Sequence, residues 1–343
     1  MFIRSYGSLS VGIMMVALCM PVSAQLPVPG THDNAPGVAA GQVGSELYAG
    51  ESDDVGPQVA LSAKPPGVHI DVSGDLQYYH TSNMFLTEDT PYPNVREQGS
   101  DVLLSTVDLA IAPDPSALGE GDFQPRLGYR QQWYYFSHKN DAPFLPPGTS
   151  RSYDFYAQTL FMEARYRYHR QWLFAGGVDW TQLSMTHGDS DIYSEVVPRW
   201  SVQRLFALDD SKVIMAGYQA AYHATTADSQ SFGVPSNLND RIDQGLFVNY
   251  TQAITPQLFV QPYYQYKYTR YAHYFANFSE ESRHDNLHTL GATVSYYFIP
   301  EISLRAFASY EVSDSSVREY PFAAIYDYKK LDSGLGLNLN YRF

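Results

Sequence analysis

An all-β fold, a transmembrane antiparallel up-and-down barrel of about twelve strands, is what this 343-residue sequence predicts. Three observations lead there. The chain opens on a secretory signal. It then holds no later run near the roughly 18 apolar residues a membrane helix needs. From Val68 onward, strand-length segments alternate apolar and polar side chains, the pattern of a sheet with oil on one face and water on the other. A bilayer admits only helices or closed barrels, because each backbone polar group must find its partner inside the protein.

Residues 1–24 form the signal: Arg4, an apolar stretch from Val11 to Val22, then Val22-Ser23-Ala24 before Gln25. Leu18 precedes the sole cysteine, Cys19, where a lipidation site requires a small residue. The mature chain therefore has neither a disulfide nor a thiolate metal site. Losing Arg4 moves the formal net charge from −14 to −15, which argues against nucleic acid as a partner. Aromatic residues make up 15% of the chain, with 29 tyrosines, whereas charged residues reach 17% and mean hydropathy is −0.30. Transmembrane barrels combine these traits, since lipid-facing and lumen-facing positions alternate and aromatic girdles mark both interfaces.

Residues 25–66, rich in Gly, Pro, Ala and Ser, read as a flexible periplasmic leader, too short to resemble the plug of a TonB-dependent transporter. Residues 67–343 form the barrel. Its strands are expected at 68–83, 100–112, 124–138, 152–168, 171–184, 192–208, 212–225, 240–253, 256–270, 286–298, 301–312 and 326–343. The connections at 169–170, 209–211, 254–256 and 299–301 are brief; those at 84–99, 139–151, 226–239, 271–285 and 313–325 are long and polar. Barrels of this kind have an even strand number and place short turns in the periplasm, which puts both termini there. Only the connection 113–123 fits poorly, being longer than a tight turn.

Alternation assigns faces. Leu258, Val260, Tyr264, Tyr266 and Tyr268 meet lipid while Gln261, Gln265, Lys267 and Thr269 face the lumen; Ile302, Leu304, Ala306, Ala308 and Tyr310 alternate with Ser303, Arg305, Ser309 and Glu311. A one-residue slip puts charge in hydrocarbon, at about 2–4 kcal/mol for a base at the midplane. A soluble β-sandwich could alternate similarly; the signal and the C-terminal Phe343 argue against it.

The last strand, Leu331 to Phe343, puts Leu331, Leu335, Leu337, Leu339, Tyr341 and Phe343 on one face. It resembles the terminal strand of Gram-negative outer-membrane β-barrels, departing where Asn338 replaces a frequent glycine. The resemblance implies an outer-membrane location, with Tyr341 and Phe343 part of the signal read by the barrel assembly machinery. It also implies contact with outer-membrane lipid and lipopolysaccharide.

The same parity directs Arg126, Arg130, Glu163, Arg165, Arg167, Asp179, Arg199, Lys267, Arg305 and Glu311 inward, with Asp71, Asp75 and Asp243. Fixed charges of both signs around a bore select solutes. The expected function is a narrow channel for small polar or anionic solutes, and no cofactor is called for. In strand number and arginine lining the chain resembles small twelve-stranded channels for acidic oligosaccharides. Alternatively, the charges pair and fill a closed lumen.

Two other function classes arise at the first strand. His80-Thr81-Ser82-Asn83 resembles the His-x-Ser-Asn motif of outer-membrane phospholipase A and of lipid A deacylase. That implies His80 as general base and Ser82 as nucleophile, and Asp101 on the next strand could orient the imidazole. In phospholipase A the motif lies mid-barrel and glycine follows; here it opens the barrel and Met84 follows. The string from Ser82 to Asp89 equally resembles the first hairpin of non-enzymatic barrels attached to export systems. The aromatic loops Tyr271 to Phe278 and Tyr320 to Tyr326 suit such a contact role. The ten histidines show no metal-ligand spacing, and Asp141, Asp189, Asp191 and Asp228 match no calcium loop.

Overall fold

A computed structural model describes residues 67–83, 99–137, 154–169, 171–186, 191–227, 237, 239–273, 283–316 and 327–343. The signal segment, the leader, most of the two aromatic loops, Asp141, Asp189 and Asp228 lie outside the described residues.

Thirteen strands follow one another: β1 (Val68–Thr81), β2 (Ser100–Pro113), β3 (Ser116–Leu118), β4 (Gly121–Phe136), β5 (Phe155–Tyr168), β6 (Trp172–Met185), β7 (Asp191–Asp209), β8 (Lys212–Ala227), β9 (Arg241–Thr255), β10 (Leu258–Tyr271), β11 (His284–Ile299), β12 (Ile302–Ser315) and β13 (Tyr328–Arg342). Every pairing is antiparallel. β13 joins β1, and β2 joins β4, so twelve strands close into a barrel with no free edge. The remaining three-residue strand, β3, explains the long connection 113–123. It folds back on the start of β4, Ser116 opposite Phe123 and Leu118 opposite Gly121, with Gly119 at φ 63° turning the hairpin.

Four connections are tight. The β5–β6 turn is closed by the Gln171 amide donating to the Tyr168 carbonyl at 3.2 Å, with His169 in the left-handed region at φ 47°. The first and last strands meet at this same rim: the amides of Ile70 and Phe343 each donate to the other's carbonyl, at 3.1 and 3.0 Å.

Side-chain parity holds around the wall. Outward positions include Leu76, Leu127, Leu160, Trp200, Leu246, Leu290, Leu304 and Leu335, all exposed. An apolar belt of this extent on a closed barrel suits hydrocarbon, not water. Inward positions on the same strands carry Asp75, Gln77, Arg130, Thr159, Glu163, Thr289 and Glu311, all buried.

Inward glycines give the wall its relief. A Cβ on Gly128 would fall 2.3 Å from the Phe161 ring, one on Gly217 2.5 Å from Phe247, and one on Gly291 2.4 Å from Tyr263. Each ring thus lies flat over a neighbouring strand's glycine instead of standing toward the axis. Gly334 does the same job across two strands: Tyr79 of β1 and Phe307 of β12 meet over it, with centroids 6.0 Å apart.

Candidate functional site in the barrel lumen

The inward charges assemble into ion-pair groups that run along the wall. On β5 to β7, Arg199 bridges Glu163 and Asp179, each at 2.9 Å, and Arg165 also pairs with Glu163. The Arg199–Glu163 bridge spans β6 where Gly177 stands opposite both residues in register. Arg130 pairs with Asp108 at 2.9 Å. Arg130 and Arg126 also lie over the Phe161 ring, 5.8 and 5.2 Å from its centroid. Arg167 sits opposite Asp122 in the β4–β5 register.

A second bridge crosses β13, where Arg305 reaches Asp75 at 2.7 Å over Gly336. Above it, Lys330 contacts Glu311 and Asp332, both at 3.0 Å. Removing the side chain from the middle strand allows both bridges, because a residue two strands away is otherwise out of reach.

The largest group spans β7 to β10. His223 lies between two carboxylates, Nδ1 2.9 Å from Glu195 and Nε2 3.4 Å from Asp243. Arg241 is 3.8 Å from Glu195 and 3.6 Å from Asp243, Lys267 is 3.8 Å from Asp243, and the Tyr193 hydroxyl donates to Glu195 at 2.7 Å. Sequence reasoning omitted Arg241, Glu195, His223, Asp108 and Lys330 from the lumen charges. Parity was the available signal: Arg241 shares the face of Asp243, and Lys330 and Asp332 share the face of Asn338.

Charge is unevenly spread. On β4 and β5 the charged side chains are Asp122, Arg126, Arg130, Glu163, Arg165 and Arg167, which leaves that wall net positive. The inward charges of β12, β13 and β1 are Asp71, Asp75, Arg305, Glu311, Lys330, Asp332 and Arg342, which leaves that wall net negative. Only β2 separates these two walls, so the sign of net charge changes along one side of the barrel.

An apolar cluster occupies one side of the lumen. Tyr79, Val102, Leu104, Tyr134, Phe155, Ala157, Leu183, Tyr193 and Phe307 are all buried together, with Phe136 and Met185 against them. Tyr134 stacks on Phe155 at 4.4 Å. These residues lie toward the strand ends that carry the long connections. Toward the tight turns, Ser73, Gln124, Arg126, Ala175, Ser201 and Ser295 keep partial exposure.

On the outer face, His80 and Asp101 stand opposite each other in register, with His80 Nδ1 2.9 Å from Asp101 Oδ1. Ser82 is turned the other way: its Oγ accepts from the Leu331 amide of β13 at 2.8 Å, and its own amide donates to the Leu331 carbonyl at 2.9 Å. The far edge of the imidazole faces Gly99, where a Cβ would lie 3.1 Å from Nε2. Histidine and aspartate are brought together; the serine is not joined to them. Tyr341 and Phe343 are exposed on the outer face, their rings stacked 6.2 Å apart.

No family model matches the chain, and no curated protein does either. Solved structures resemble it in fold. An outer membrane channel from Pseudomonas putida F1 aligns over 84% of this chain and 100% of its own, with 13% identity and a TM-score of 0.47. The β domain of the Bordetella autotransporter BrkA aligns over 78% and 98%, with 14% identity and a TM-score of 0.44. The KdgM porin in complex with disordered oligogalacturonate aligns over 78% and 99%, with 8% identity and a TM-score of 0.38. Likeness at this level says nothing of solute.

Proposed function

We propose that this chain is a narrow channel of the bacterial outer membrane for small polar or anionic solutes. Both termini would lie in the periplasm, and outer-membrane lipid, lipopolysaccharide and the barrel assembly machinery would be its surroundings. The observation that carries this reading is the division of faces in a closed barrel: apolar side chains outside, ion-paired and polar ones inside. Charges bridge along the wall from strand to strand, and rings pack over glycines of neighbouring strands. The arginines of β4 and β5 favour anions, and the apolar cluster sets a narrow passage.

Planar-bilayer recording of the purified chain tests this. Small unitary currents with anion preference are expected. Replacing both Arg165 and Arg167 with glutamine should bring the anion-to-cation permeability ratio down toward unity, because fixed positive charge sets it. Silence at every voltage and pH would overturn the channel.

Membrane burial has its own test. Leu290 is 62% exposed on the outer face of β11. Leu290→Arg should lower folding free energy in phospholipid by about 2–4 kcal/mol if the residue meets acyl chains near the midplane. Urea titration of the reconstituted protein reads the change, and an unchanged midpoint would contradict burial in lipid.

A further inference from the structure

Arg204 is a cation on the wrong face for solvent. It sits on β7 with the outward parity of Trp200 and Phe206, opposite Trp172 of β6 and Ala216 of β8. Its guanidinium lies 5.1 Å from the Trp172 ring centroid and 4.7 Å from that of Phe206. Two aromatic faces fix its position and shield it from the flanking wall. Its Nε is buried without a hydrogen-bond partner, and among the described residues no carboxylate pairs with it. Lys212, another outward base near a tight turn, is neutralised by Asp209 at 2.8 Å.

Trp172 opens β6 directly after the β5–β6 turn, so this sandwich lies at the tight-turn rim. Trp172, Phe174, Tyr166 and Tyr168 form a continuous run of rings there, with centroids 6.2 to 6.4 Å apart between neighbours. Aromatic belts of this kind mark the height of lipid headgroups. A guanidinium at that height, oriented and lacking a protein counter-ion, is matched by a phosphodiester, which it can bind through paired N–H donors.

We propose that Arg204, Trp172 and Phe206 form a binding site for one glycerophospholipid, with the phosphate on the guanidinium and the acyl chains along the outer wall of β6 to β8. Ile214, Tyr218 and Val202 supply that wall. The site rests on the membrane placement proposed above: periplasmic tight turns put it in the leaflet made of phospholipid.

Native mass spectrometry of the full chain, released from detergent doped with phosphatidylethanolamine or phosphatidylglycerol, tests the assignment. One lipid of either headgroup should remain bound, because the phosphodiester is common to both. Diacylglycerol, which lacks it, should not. Arg204→Gln should weaken retention about tenfold, the scale of losing hydrogen bonds to a charged group. Arg204→Lys should keep part of it, and Arg270→Gln, an exposed outward base at the opposite rim, should leave it unchanged. Heat-modifiable gel mobility confirms that each variant is folded. Equal retention by folded Arg204→Gln, or equal retention of diacylglycerol, overturns the site. Failure of the chain to enter bilayers at all would instead overturn the membrane reading beneath it.

Discussion

Replacing Arg241 with methionine should destabilise the folded barrel by about 3–5 kcal/mol, the usual cost of removing one partner from a buried ion pair. Arg241 is 3% exposed, and Glu195 is 5% exposed. The guanidinium stands between Glu195 and Asp243, at 3.8 and 3.6 Å. Lys267 also faces Asp243, at 3.8 Å, and His223 reaches both carboxylates, at 2.9 and 3.4 Å. Without Arg241 the two carboxylates remain desolvated, with part of their countercharge gone. Urea unfolding in phospholipid vesicles, followed by tryptophan fluorescence, gives the difference. Adding Glu195→Gln to the same chain should recover most of the loss, because Asp243 keeps Lys267 as its cation and no second carboxylate is left without one. A single variant as stable as the parent would show that this group lies in bulk-like water.

Gly334→Val should keep the barrel from closing. A Cβ at this position would sit 2.3 Å from Tyr79 Cβ, 2.6 Å from Tyr79 Cα and 2.4 Å from the Tyr78 carbonyl oxygen. None of these atoms can move by a rotamer change, in contrast to Gly291, where the nearest atoms belong to the end of the Tyr263 ring. Ordinary overpacking costs about 1–3 kcal/mol. Here the collision falls on the pairing of Tyr79 with Gly334, part of the seam between the first and last strands that closes the barrel. The folded, fast-migrating band of unheated samples should disappear for Gly334→Val and persist for Gly291→Ala. A fast-migrating Gly334→Val would mean that the seam has room the glycine does not need.

Most of the architecture was readable from period and punctuation. Strand bounds from alternation agree closely with those observed because a lipid-facing wall forces a strict period of two on every crossing. The connection 113–123 was the exception, and its reason is local: Gly119 turns a three-residue strand back on β4, a feature without alternation of its own. The facing of the lumen charges was readable; their grouping was not. Which carboxylate Arg199 or Arg305 reaches depends on how far neighbouring strands are staggered, and stagger leaves no trace in a single strand. At the long-connection end of β1, sequence proximity of His80 and Ser82 suggested partnership, but these two residues of one parity turn to different neighbours. His80 goes to β2, and Ser82 to β13.

The glycine saddles bear on that stagger. Sliding one strand past its neighbour by two residues would leave every oily group outside and every wet group inside, so amphipathicity tolerates a family of barrels with different bore and tilt. Phe161 on Gly128, Phe247 on Gly217 and Tyr263 on Gly291 act as keys, each cut for one notch. A slid sheet would set a ring against a side chain and leave the notch empty. Caliber is thereby chosen by a few hydrogens where a methyl could have stood.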